Sequence, residues 1–161
     1  MAPSKKVLML CGDYMEDYEA AVPFYALAGL GVAVHCAAPG KAPGDPCPTA
    51  VHDFLGYDLY TELPGHRFRV TADFAAAAAD PSSYDALVVP GGRFVEQLSV
   101  DPEAVALVGV PMRVISNLAG AVGVEAEGAV ADGKLVTAAS WPDLAEFIAH
   151  LVDLLGITVS F

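Results

Sequence analysis

The chain has 161 residues, enough for one domain that buries roughly two-thirds of the surface its unfolded form exposes. Twenty Asp and Glu against eight Lys and Arg give a formal net charge of -12, which repels phosphate backbones and anionic membrane surfaces and argues against nucleic acid or a membrane as partner. Hydrophobic residues make up 55%, yet no apolar run approaches the roughly 20 residues that span a bilayer, so the excess is expected in a two-sided sheet or a subunit contact.

In chain order, Val7 to Cys11 is an apolar run ended by Gly12, and Val32 to Ala37 is a second, closed by Pro39-Gly40; each predicts a buried strand. Between them Tyr14 to Leu30 carries Tyr18, Val22, Tyr25, Leu27 and Leu30 at helical spacing, with acids in the first turn where the helix dipole favours them. The result is a βαβ opening with parallel, adjacent strands. Residues 38 to 72, rich in Pro and Gly, predict a long excursion holding a small hairpin. Tyr84 to Val89 is a third strand running into the tight turn Pro90-Gly91-Gly92; Val95 to Val108 predicts one helix, and Pro111 to Ser116 a fourth strand. Asp132-Gly133 marks a hairpin, Asp143 to Leu155 an amphipathic helix, and Ile157 to Phe161 a β-prone tail. Alternating strands and helices point to a flavodoxin-like layered α/β fold with its site at the carboxyl ends of the strands.

Three cysteines, Cys11, Cys36 and Cys47, are odd in number and lack metal-ligand spacing, so they are expected to be reduced thiols, Cys11 in the core and Cys47 in a loop. No metal or cofactor is expected. Met1 to Leu10 lacks a signal-peptide core and cleavage site, and the expected compartment is the cytoplasm.

The opening Val7-Leu8-Met9-Leu10-Cys11-Gly12-Asp13-Tyr14-Met15-Glu16-Asp17-Tyr18-Glu19, with Pro23 four residues on, resembles the DJ-one (ThiJ/PfpI) superfamily, in its PfpI branch and plant-type glyoxalase III flavour. Pro90-Gly91-Gly92-Arg93, Gly65-His66 and Asp132-Gly133-Lys134-Leu135-Val136-Thr137 extend the resemblance over most of residues 5 to 156. It implies a single domain over residues 1–161, a flavodoxin-like three-layer sandwich with a mostly parallel sheet, akin to class I glutamine amidotransferases. It also implies that Glu19 lies against a nucleophilic cysteine on a strand-to-helix elbow, with Gly91 and Gly92 offering backbone donors to a developing oxyanion. Here Ser116 stands at the cysteine's position and Asn117 at that of the histidine after it. The chain then reaches Asp132-Gly133 roughly thirty residues too soon, so the elbow helix and a neighbouring segment are expected to be missing. Leu144-Ala145 replaces the branch's His-Pro pair.

The family's cysteine-based activities, namely glyoxalase III, deglycation and proteolysis, lose their nucleophile, whereas a glutamate shielded in a cleft still serves as acid or base. On its own Glu19 also suits a first-turn acid, and Gly91-Gly92 an ordinary turn. Ser116 has no adjacent base to activate it. His52 and His66 border the cleft or pack the loop; Tyr18 and Trp141 line a pocket or the core; Arg93 binds an anion or a subunit. The leading expectation is a cysteine-independent isomerase, hydratase, dehydratase or cyclase with Glu19 as acid/base. Gly91, Gly92, Ser116, Asn117, His52, Tyr18 and Trp141 are expected to hold a small-molecule substrate. The alternatives are an inactive ligand-binding or interaction domain, and residual glyoxalase activity through Cys11 or Cys47. A homo-oligomer is expected in each case.

Overall fold

A computed structural model describes residues 5–53, 61–109, 114–116, 128–132 and 134–159, with the backbone alone at 53, 61 and 114–116. The sequence opens with β1 (Lys6–Leu10), α1 (Asp17–Gly29) and β2 (Ala33–Ala37), the expected βαβ unit, with β1 and β2 parallel and Met9 opposite Cys36. β3 (Pro46–Asp53) and β4 (Thr61–Arg69) form the separate antiparallel hairpin within the excursion. α2 (Phe74–Ala79) leads to β5 (Ala86–Val89), then come α3 (Phe94–Leu98), α4 (Pro102–Val108), β6 (Val114–Ser116), β7 (Ala129–Asp132), β8 (Leu135–Ala138) and α5 (Leu144–Leu154).

One six-stranded sheet runs β2-β1-β5-β6-β8-β7, parallel except for β7, which joins β8 through the antiparallel hairpin that Asp132-Gly133 announced. From Val7 through Leu10, and again from Ala86 through Val89, every residue is buried, because strands covered by helices on both faces have no solvent side to keep polar. The step from β1 to β2 runs one way along the sheet and the step from β5 to β6 the other, so right-handed crossovers put α1 and α3–α4 on opposite faces. α5 packs on α1, and α2 on α4. The arrangement is the expected flavodoxin-like three-layer sandwich. No helix among the described residues is long and apolar enough to cross a membrane.

Four expectations need correction. The helix predicted from Tyr14 begins at Asp17, because Tyr14 adopts φ 66° and Met15 bridges to Gly92. The single helix over 95–108 is two. Asp101 disfavours helical backbone before Pro102, and its carboxylate caps α4 by accepting from Ala104 N–H at 2.8 Å. Cys47 belongs to the buried face of β3 rather than a loop, its neighbour Pro48 giving its carbonyl to Tyr14 N–H at 2.7 Å. Ile157 to Val159 form no strand. The segment expected to have lost the elbow helix, residues 117–127, lies outside the described residues.

The turn after β5 is locked to the loop after β1. Glu16 N–H donates to Gly91 O at 2.9 Å, and Arg93 N–H to Tyr14 O at 3.0 Å. Gly92 between them has φ 94°, and a Cβ there would lie 2.5 Å from Glu16 N and 2.6 Å from Tyr14 O. Both the conformation and the close approach require glycine. Gly92→Ala is therefore expected to cost about 2 kcal/mol or more in urea unfolding. Leu87→Ala, at a fully buried position of β5, is expected to cost about 2–5 kcal/mol. Val105→Ala, on the exposed side of α4, should stay within about 0.5 kcal/mol of wild type in the same assay.

Candidate active site at the start of the first helix

The start of α1 buries three carboxylates, those of Glu16, Asp17 and Glu19. Glu16 is the N-cap: its Oε2 accepts from Glu19 N–H at 2.7 Å, satisfying one donor left unpaired at the start of the helix. Asp17 anchors the β3–β4 hairpin. Its Oδ1 accepts from the Thr49 hydroxyl and, at 3.0 Å, from His66 N–H, while the His66 ring nitrogen Nδ1 lies 3.1 Å from both carboxylate oxygens. Glu19 faces the opposite way, and its Oε2 accepts from Gly91 N–H at 2.6 Å.

These neighbours have differently tuned acidities. Burial raises the Glu19 pKa above that of an ordinary glutamate, and the single bond from Gly91 N–H offsets this only in part. Burial also raises Glu16, and the nearby Glu19 charge adds to it; the bonds from Glu19 and His52 N–H, with the nearby His52, work against the rise without cancelling it. For Asp17 burial acts in the same upward direction, but the hydroxyl, the N–H and the histidine together outweigh it and hold the carboxyl below its usual range. The arrangement thus favours the ionised form of Asp17, the anchor of the hairpin, and disfavours it for both Glu16 and Glu19.

Glu19 borders a small cavity of about 20 Å³ at the carboxyl ends of β5 and β8, shared with Val89, Pro90, Ala138, Ser140 and Phe147. That volume suits one water-sized group. Gly91 is in direct contact with Glu19, so its N–H is committed to the carboxylate; Gly92 N–H has no partner among the described residues. Ser116 ends β6 opposite Val89, which brings its backbone beside the Pro90-Gly91 turn, whereas Asn117 lies outside the described residues. The rings of Tyr18 and Trp141 meet at 5.7 Å, joining the residue before Glu19 to the turn before α5.

His52 is buried on β3 and lies near Glu16, with its Nε2 3.5 Å from Glu62. Glu62 receives the Arg93 guanidinium through two bonds of 2.6 and 2.7 Å, and Arg93 also stacks over the Tyr14 ring at 4.5 Å. Arg93 thus ties the hairpin to the Gly-Gly turn. Glu16 was missed as a site residue because a string of acids at a helix start does not show which side chains turn inward. The available signal was the spacing of Glu16 and Glu19, which is that of a capping box.

All three cysteines are free and buried. Burial pushes the Cys47 thiol up to about 11, and a hydrogen bond with Cys36, followed by burial, raises Cys11 well above the usual thiol range. Among the described residues no group of three or more His, Cys, Asp and Glu is arranged to hold a metal ion.

Comparison with known proteins places this geometry in a family. The DJ-1/PfpI family profile matches residues 5–114. Protein DJ-1 homolog D of Arabidopsis thaliana is 39% identical over 196 aligned positions, which take in 98% of this chain and 50% of that protein. Those positions outnumber the 161 residues here, so the alignment opens gaps in this chain. A deglycase of Thermococcus kodakarensis is 32% identical over 104 residues, 63% of this chain and 51% of that one. The chain thus spans about half the length of these curated relatives. Among solved structures, a DJ-1 superfamily protein of Salmonella typhimurium shares the fold with a TM-score of 0.68 at 21% identity, over 95% of this chain and 91% of that one. The buried glutamate of the first helix, bonded to the Gly-Gly turn of a parallel sheet, is therefore set in a chain that belongs to the DJ-1/PfpI family.

Proposed function

We propose that the protein is a cysteine-independent acid–base enzyme, of the isomerase, hydratase, dehydratase or cyclase type. Its substrate is a small carbonyl-containing or electrophilic metabolite, and a specialised biosynthetic step suits it better than general detoxification. The observation that carries this reading is the Glu19 carboxyl, 8% exposed, bonded once to Gly91 N–H and raised in pKa by its burial. As an acid it gives a proton to a carbonyl oxygen or a departing hydroxyl; as a base it takes the proton from a neighbouring carbon and returns it elsewhere. Gly92 N–H is the backbone donor left to receive a developing oxyanion, with Ser116 and Asn117 as its expected neighbours.

The reading does without a thiol. Some relatives carry the name deglycase. In this chain, however, Cys11 and Cys47 are buried and their raised pKa values leave little thiolate at neutral pH. A homo-oligomer fits the exposed Tyr25 and Val22 on α1. A second reading, a catalytically inert domain that binds a ligand or another chain, draws support from the small volume beside Glu19.

The test is turnover, followed by NMR, of a panel of α-oxoaldehydes and unstable carbonyl metabolites. It uses wild type, Glu19→Gln, and a variant in which Cys11, Cys36 and Cys47 are all alanine. The cysteine-free protein should retain wild-type turnover, and Glu19→Gln should lose about 100- to 10,000-fold. Activity lost with the cysteines and kept by Glu19→Gln would overturn the proposal. No turnover by wild type on any panel member would favour the inert domain.

A further inference from the structure

A second cavity, at the ends of the β-strands, has no part in the Glu19 site. It measures about 240 Å³ and shares no lining residue with the cavity beside Glu19. Gly12 and Asp13 border it from the loop after β1, Lys41 from the loop after β2, and Phe94 and Gln97 from α3, which follows β5. The chain leaves β1 toward β2 and leaves β5 toward β6, in opposite directions along the sheet. Loops after neighbouring strands separate at such a point, and doubly wound sheets bind ligands in the crevice this creates. The cavity occupies that crevice.

Its chemistry is specific about charge. Lys41, the one cation on the wall, is already engaged: its Nζ lies 2.8 Å from Asp13 Oδ1 and donates to Pro46 O at 2.9 Å. Asp101 uses Oδ1 to cap α4, which leaves Oδ2 without a bond among the described residues. The Gln97 amide makes no side-chain hydrogen bond among those residues. Two carboxylates against one ammonium leave the wall with a net negative charge, in a chain that is itself strongly acidic. An anion entering here would meet two carboxylates, and its natural counterion is occupied.

We infer that this crevice is a second ligand site, for a small organic cation bearing an ammonium or guanidinium group. Asp101, whose charge no cation on the wall offsets, supplies the counter-charge and the Gln97 carbonyl an acceptor, while Phe94, Leu98 and Cys11 border the apolar remainder of the ligand. The volume lies below the roughly 300–1,000 Å³ of sites for drug-sized molecules, so the occupant is a small metabolite.

The test is a titration of ¹⁵N-labelled protein at low ionic strength, read by amide chemical shifts. n-Butylammonium and n-butylguanidinium are the probes, with n-butanol and butyrate as neutral and anionic controls. The cations are expected to give saturable shifts at Gly12, Asp13, Gln97 and Leu98 that neither control gives. Asp101→Asn, which keeps the helix cap, should weaken binding by about tenfold. Gln97→Ala, at an exposed position whose change leaves the fold intact, should weaken it by a smaller factor. Glu19→Gln should bind as wild type does, which separates this site from the acid–base reading. No saturable shift with either cation, an equal response to n-butanol or butyrate, or unchanged affinity in both Asp101→Asn and Gln97→Ala would overturn the inference.

Discussion

The hydrogen bond from Gly91 N–H to the Glu19 carboxylate is the contact on which the site depends, since it joins the first helix to the turn after the third strand of the parallel sheet. A buried carboxylate with one bond is under-solvated relative to water, and that deficit is what moves its proton affinity upward. The bond can form only because the turn comes close. Gly92 lies against the backbone of Tyr14 and Glu16 at a distance no side chain would allow, and Tyr14 adopts a left-handed conformation to meet it. Conformational strain is thus placed beside the group proposed to do the chemistry, where the surrounding hydrogen bonds can hold it.

Around that contact the other charges act as fasteners. Asp17 holds the β3–β4 hairpin through Thr49 and His66, and Arg93 holds the far side of the same hairpin through Glu62. The hairpin is not part of the central sheet, so these polar contacts, with the bridge between Glu16 and Ala50, fix where it sits. The acids in the first turn of α1 therefore divide the work. One is ionised and structural, and two are desolvated, with Glu16 presenting the backbone of Glu19 and Glu19 presenting its own carboxyl to the cleft.

Much of the fold was legible because its central strands are apolar runs bounded by glycine and proline, a pattern that a covered parallel strand cannot avoid. The turn at Gly92 was legible because its φ of 94° suits glycine, and the β7–β8 hairpin because Asp-Gly is a strong turn signal in sequence. The break between α3 and α4 was missed by weighing apolar periodicity above Asp101-Pro102, a pair whose local chemistry ends one helix and caps the next. α2 was missed because a run of alanines carries no periodicity. Within the site, Glu19 was legible from its family resemblance, but Glu16 and Asp17 were not, since which acid turns inward is decided by contacts from Thr49, His52 and His66 far along the chain. Gly91 was expected to face a substrate, and the structure instead commits its N–H to Glu19. The cation crevice was not read at all, because Asp13, Lys41 and Asp101 meet only through the topology of the sheet.

The account rests on Glu19 holding its proton more tightly than an ordinary glutamate. The direct measurement is a ¹³C NMR titration of the glutamate side-chain carboxyls, with the Glu19 signal assigned by its absence in Glu19→Gln. The account predicts a Glu19 midpoint clearly above the ordinary glutamate value of about 4.3. A midpoint at or below that value would show a well-solvated or strongly paired carboxylate, and would contradict the assignment of Glu19 as the acid/base of this fold.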